Sequence, residues 1–205
     1  MGNSGLPGHK ARPSSKEVVS FDDEPLILVD KDDREIGFLD KTSAHLGPGV
    51  LHRAFSLFVF NSQGELLLQQ RASGKRLWPG YWSNTCCSHP RRGETMDEAI
   101  HRRLGEELGM QCRLQYLFKF EYHAQFDAHG AERELCSVYA GCSDTSPTVN
   151  VNEISALRCL SPATLDAEIA VHPEIFTPWL KIEWQRIRSE HAGGLATCRS
   201  SPLRA

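Results

Sequence analysis

The stretch "SHPRRGETMDEAIHRRLGEELGM" (Ser88–Met110) decides how this chain is to be read. Its middle, Thr95–Leu108, is predicted to be a helix, with acids at its start and Gly109 to stop it. Ala99, Ile100, Leu104 and Leu108 recur at helical spacing and form the apolar stripe. Glu94, Glu98, Arg102 and Glu106 recur every four residues on the polar face, and Arg103 and Glu107 share the face beside it. Glutamate and arginine four apart usually make a salt-bridged solvent face. Here the run ends in "EELG" and begins in an unusual loop, so the neighbouring sequence has to be weighed with it.

Immediately upstream, "NTCCSHPRRGE" (Asn84–Glu94) places two cysteines beside a histidine and two arginines. Successive residues of a strand point to opposite faces, so only one of Cys86 and Cys87 can face a pocket. The basic neighbours are expected to lower the thiol pKa from its usual value of about 8.5. Further out, "PLILVD" (Pro25–Asp30) and the run after "DKDDREIG" read as a hairpin. "AFSLFVF" (Ala54–Phe60) and "ELLLQQR" (Glu65–Arg71) are strands around the turn "NSQG", and "SVYAGC" (Ser137–Cys142) is another. "EIFTPWLKIEWQRIRSE" (Glu174–Glu190) is a second helix candidate. Strands and helices interleave without a repeating βαβ rhythm, which favours an α+β or α/β/α sandwich over a doubly wound sheet.

The whole chain fits that picture. It has 205 residues, enough for one domain with an ordinary core, and is 40% hydrophobic and 24% charged. A net charge of −3 gives no general attraction for nucleic acid or anionic membranes, so neither is expected as a partner. No apolar run is long enough to span a bilayer, and the N-terminus lacks the apolar core of a signal peptide. Seven cysteines without regular spacing read as reduced thiols, hence a cytoplasmic protein. Residues 1–16 and 190–205 are rich in small and polar residues and are expected to be a disordered leader and a flexible tail around one domain, 17–189. The default oligomeric state is monomer.

Three of the nine histidines, His45, His52 and His89, bracket the predicted strands. In "ERE", the strand period puts Glu132 and Glu134 on one face and Arg133 on the other. A lone histidine is more often a satisfied core or surface residue, and the acids alone read as an exposed strand end. If they met in space, three imidazoles and two carboxylates would offer about five or six ligands to Mn²⁺, Mg²⁺ or Zn²⁺.

The stretch from Ser88 to Met110 resembles the Nudix box: G, five residues, E, seven residues, R-E, an aliphatic, any residue, E-E, any residue, G, an aliphatic. Glu94, Arg102, Leu104, Glu106, Glu107, Gly109 and Met110 fall on its register. Ser88 replaces the first glycine, and Arg103 replaces the glutamate with which Nudix hydrolases hold metal. A positive charge there repels a cation, so the alternative reading, a pyrophosphohydrolase acting on a nucleotide or other diphosphate, is disfavoured. "HRAFSLFVFNSQGELLLQQRASGKRLWPGYWSNTCCSHPRRGE", "EELG", "ERE" and "TPW" together look like type 1 isopentenyl-diphosphate isomerases, over about Pro25–Arg188. That resemblance implies a Nudix-type α/β/α sandwich with a mixed central sheet. It also implies an activity, the interconversion of isopentenyl and dimethylallyl diphosphate through a carbocation. Carried over by position, it makes Cys87 and Glu134 the proton-transfer groups, with Tyr122 beside Glu134 and Trp179 over the reacting carbons. His45, His52, His89, Glu132 and Glu134 become ligands of a divalent metal. Glu107 helps hold a Mg²⁺ that accompanies the substrate, and Lys41, Arg71, Lys75 and Arg103 grip the diphosphate.

Overall fold

The computed structural model describes residues 14–191. The chain runs β1 (Ser14–Ser15), β2 (Pro25–Val29), β3 (Glu35–Asp40), α1 (Lys41–Ala44), β4 (His52–Phe60), β5 (Leu66–Arg71), β6 (Trp82–Ser83) and β7 (Cys86–Ser88). It continues through α2 (Met96–Leu108), β8 (Leu114–Asp127), β9 (Gly130–Cys142), β10 (Val149–Asn150), β11 (Ile154–Leu160), α3 (Pro162–Val171), a 3₁₀ turn (Pro173–Ile175) and α4 (Pro178–Glu190). Of the expected leader and tail, residues 1–13 and 192–205 lie outside the described residues. Ser14–Ser15 pair in parallel with Val149–Asn150.

β4 is the hub of a mixed sheet. It pairs in parallel with β9 along its whole length and antiparallel with β2, β5 and β7. Its residues alternate between two cores. Phe55, Leu57 and Val59 pack against α2 with Cys86. Ala54, Phe58 and Phe60 pack on the opposite face with Leu165 of α3 and Trp179, Leu180, Trp184 and Ile187 of α4. Helices on both faces of one sheet make the α/β/α sandwich. Among the described residues no helix is long and apolar enough to cross a membrane.

α2 begins where a capping box forms: Thr95 Oγ1 accepts from the Glu98 N–H at 3.2 Å, and Glu98 Oε2 accepts from the Thr95 N–H at 2.8 Å. It ends at Gly109, whose φ of 61° is left-handed and whose flank is closed by Thr148. Ala99, Ile100, Leu104 and Leu108 are all buried, and each large apolar side chain there contributes about 2–3 kcal/mol. The second helix candidate needs a correction. Glu174–Glu190 is not continuous: a 3₁₀ turn ends at Ile175, and α4 starts at Pro178. Proline fits the first helical turn, and the residue before it is driven to extended backbone, so Thr177 breaks the run. Cys142 is disulfide-bonded, so the expectation of reduced thiols fails there, whereas Cys86, Cys87, Cys112 and Cys136 are free.

Candidate active site

Strand register builds the site. His52 of β4 lies opposite Glu134 of β9, and Glu134 lies opposite Tyr122 of β8. Ser56, two turns of the pleat beyond His52, lies opposite Cys87 of β7. Cross-strand partners share a face, so Cys87, Glu134 and Tyr122 point to one side of the sheet. Cys86 points to the other side and is fully buried beside α2. The division of labour expected of the cysteine pair is thus a consequence of the pleat.

On that side a cavity of about 450 Å³ is lined by Cys87, Glu134, Tyr122 and Trp179 together with Lys41, Arg71, Lys75 and Arg103. His45, His89 and Glu132 also reach it. His52 and Glu107 do not. His52 is fully buried behind the wall, and Glu107 turns its carboxylate to Arg103 Nη2 at 2.5 Å. Sequence reading missed Val18, Ser20 and Asp22, which close one side, and Glu153. None of these sits in a recognisable motif, because a chain segment that folds back over a cavity leaves no periodic signature.

The cavity wall is tuned by burial. The Cys87 thiol is pushed up to about 12 by burial, against a lowering contribution from Arg71. The expected acidic thiol is therefore overturned: desolvation of the anion outweighs the nearby positive charge. Burial and the neighbouring Glu134 charge likewise push the Tyr122 phenol well up. Tyr122 donates a hydrogen bond to Glu134 Oε2 at 2.7 Å. Burial would raise the Glu134 carboxyl, but hydrogen bonds from His52 and Tyr122 hold it below the ordinary value. Two protonated groups and one carboxylate thus face a common space.

Trp179 is 2% exposed, and its Nε1 donates to Ser83 Oγ at 3.0 Å and Asn84 Oδ1 at 3.2 Å. Tying the polar edge to the wall leaves the rest of the indole for the cavity. Trp78 meets it edge-on at 5.2 Å. Arg71 stands 5.3 Å from the indole centre and donates to the carbonyls of Leu77 (2.9 Å) and Trp78 (3.1 Å). Those bonds hold Trp78 at a φ of 47°, a left-handed conformation costly for a bulky residue.

His45, His52, His89, Glu132 and Glu134 bring their ligand atoms within 4.8 Å of one another. His45 Nδ1 and His52 Nδ1 bond the carbonyls of Lys41 and Val50, each at 2.7 Å, which turns both Nε2 atoms inward. His45 Nε2 is 2.7 Å from Glu132 Oε2, and His89 Nε2 is 3.1 Å from Glu134 Oε1. Burial and the two neighbouring imidazoles hold His89 well below its ordinary pKa, leaving it neutral. Three imidazoles, two of them oriented by backbone carbonyls, and two buried carboxylates converging on one point are a donor set for a divalent cation.

The Nudix-box residues serve as scaffold here. Arg102 grips both oxygens of Glu94, at 2.6 and 2.8 Å, and donates to the His89 carbonyl at 3.4 Å. Glu94 also accepts from the Arg91 N–H at 2.8 Å. The loop carrying His89 is thereby fastened to α2.

A family model, the NUDIX domain, matches residues 50–180. Isopentenyl-diphosphate Delta-isomerase 1 of Photorhabdus laumondii is 44% identical over 170 residues, covering 82% of this chain and 97% of that protein. Isopentenyl-diphosphate Delta-isomerase of Burkholderia multivorans is 46% identical over 157 residues, covering 77% of this chain and 89% of its own length. Among solved structures, a Deinococcus radiodurans protein superposes with a TM-score of 0.66 at 28% identity, covering 80% of this chain and 98% of that one. A MutT protein from Methanosarcina mazei shares the fold, with a TM-score of 0.59 at 15% identity over 69% of this chain and 96% of that one.

Proposed function

The chain belongs to the NUDIX-domain family and, within it, to the isopentenyl-diphosphate Delta-isomerases, and on that premise we propose how its residues divide the work of moving a carbon–carbon double bond between isopentenyl and dimethylallyl diphosphate. The observation that carries the reading is the shared cavity: Cys87, the Tyr122–Glu134 pair and Trp179 all open onto it.

The reaction adds a proton to one alkene carbon and removes one two bonds away. Alkenes are very weak bases, so a tertiary carbocation forms, and a dry pocket keeps water from quenching it. Cys87 and Glu134 are the proton-transfer groups, with Tyr122 hydrogen-bonded to Glu134 as its relay. Such groups typically contribute about 10²–10⁴-fold each. A thiol with a pKa near 12 and a carboxylate below its ordinary value offer one proton to give and one place to receive. Reversal uses the same pair in the opposite sense. The indole of Trp179 faces the cation, an interaction of about 2 kcal/mol when desolvated.

His45, His52, His89, Glu132 and Glu134 would hold one divalent ion, for which Mn²⁺, Mg²⁺ and Zn²⁺ all suit the donor set. When bound, it supplies a fixed positive charge that positions Glu134 and tunes its acidity. Glu107, behind Arg103, would help hold a Mg²⁺ brought by the substrate diphosphate, and Lys41, Arg71, Lys75 and Arg103 would take the remaining negative charge. This remote binding orients a hydrocarbon with no polar handle of its own. The reading carries an enzyme working as a monomer, which sedimentation of the purified protein checks.

Incubation with isopentenyl diphosphate tests the reading. Dimethylallyl diphosphate should accumulate without phosphate release. Release of phosphate with no isomer formed would return the chain to the hydrolases.

A further inference from the structure

Glu153 belongs to no motif and has no part in the proton transfers above. It lies between β10 and β11 at the cationic end of the cavity, with its side chain only 4% exposed. Its carboxylate is ion-paired with Lys75 Nζ and stands 3.4 Å from Arg103 Nη2. Its backbone is fixed as well. The Glu153 N–H donates to the Asn150 carbonyl at 3.1 Å, and the Ala72 N–H donates to the Glu153 carbonyl at 3.0 Å. The carboxylate is therefore held beside its two cations and does not ride on a free loop. Burial pushes its pKa up, but Lys75 and Arg103 outweigh burial and keep the group ionised.

This arrangement alters the charge an incoming diphosphate meets. Of the five lysines and arginines lining the cavity, Arg103 faces Glu107 and Glu153, and Lys75 faces Glu153. The buried carboxylates cancel part of the positive charge just where a trianionic group must lie. A free diphosphate is repelled by Glu153 at close range. A diphosphate already carrying a divalent cation brings positive charge that this carboxylate attracts. We infer that Glu153 is an internal counter-anion that makes the cradle selective for the divalent-metal complex of diphosphate over free diphosphate. The inference rests on the diphosphate reading given above, and it makes Glu153 a specificity-determining residue outside the proton-transfer machinery.

Calorimetric titration of the metal-loaded protein with inorganic pyrophosphate, with and without Mg²⁺, tests it. Parent protein should bind much more tightly with Mg²⁺. Glu153→Gln should bind Mg²⁺-free pyrophosphate about tenfold more tightly than the parent, or better, and gain less from Mg²⁺. If that variant does not fold, the paired change Lys75→Gln with Glu153→Gln removes both ends of the ion pair. The paired variant should bind Mg²⁺-free pyrophosphate at least as well as the parent although a lysine has gone, because Arg103 is released. An unchanged Mg²⁺ dependence in Glu153→Gln, or weaker Mg²⁺-free binding in the paired variant, overturns the inference alone. No pyrophosphate binding by the parent in either condition overturns the diphosphate cradle and the inference with it.

Discussion

Cys87 illustrates how burial and charge compete at a single residue. Two arginines follow it in sequence, but the positive group that acts on its thiol is Arg71, from β5, and burial exceeds it. At pH 8 a thiol near 12 is about one part in ten thousand ionised. Alkylation of Cys87 by iodoacetamide, followed by peptide mass spectrometry, should therefore rise about tenfold per pH unit up to pH 9 without levelling off. A plateau near pH 8 would show an acidic thiol and contradict the protonated resting state. For Trp179, removing the ring face while keeping bulk in Trp179→Leu should lower kcat about 30-fold, equivalent to about 2 kcal/mol, with little change in KM. Trp179→Phe should lose less, since it keeps an aromatic face. Equal losses in the two variants would reduce Trp179 to a packing residue. The types of these residues were legible in the sequence. Their protonation states were not, because desolvation depends on neighbours from β4, β8, β9 and α4 that no local window contains.

At the scale of elements, α2 and the loop before it behave as one unit. The Glu94–Arg102 pair fastens the loop carrying His89, and both side chains are mostly buried. Burial works against ionised Glu94, but the Arg102 and backbone hydrogen bonds outweigh it and lower its pKa from 4.5. The folded value thus lies below the unfolded one. Its stabilisation is complete above the unfolded pKa and is lost as pH falls through the folded pKa. Glu94→Gln should cost about 1–2 kcal/mol at neutral pH, and thermal melts should show that gap shrinking below about pH 4.5. A gap independent of pH would locate the effect in packing. The start and stop of α2 were readable because cap residues act over three or four positions. β8 was harder. The pairing register shifts between Tyr116 and Phe118, so Leu114 joins the α2 core while Phe118 and Tyr122 join the opposite one. The break between Ile175 and Pro178 was signalled by the proline alone, and amphipathic spacing on either side of it masked the signal.

For the whole molecule, the decisive feature is the parallel pairing of β4 with β9. It brings His52 opposite Glu134 across 81 intervening positions of sequence and gathers the imidazoles and carboxylates that could hold a metal from the α1 end, β4, the β7 end and β9. Residue types could suggest that set, but only the topology makes it converge, and the closing of the cavity by Val18–Asp22 and Glu153 had no sequence signal at all. A site shared by so many elements couples metal binding to folding. Removing divalent ions with a chelator should abolish turnover and lower the melting temperature, and Mn²⁺, Mg²⁺ or Zn²⁺ should restore both. Unchanged melting and activity would remove the metal from the account.

The central claim is that Cys87 and Glu134 pass protons to and from one hydrocarbon in one cavity. Proton NMR of isopentenyl diphosphate incubated in D₂O tests it most directly. The parent protein should form dimethylallyl diphosphate carrying deuterium from solvent, while Cys87→Ala and Glu134→Gln, with unchanged folds, should each be slower by at least about 10²-fold. Isomer formed without deuterium, or a near-parent rate in either variant, would contradict it.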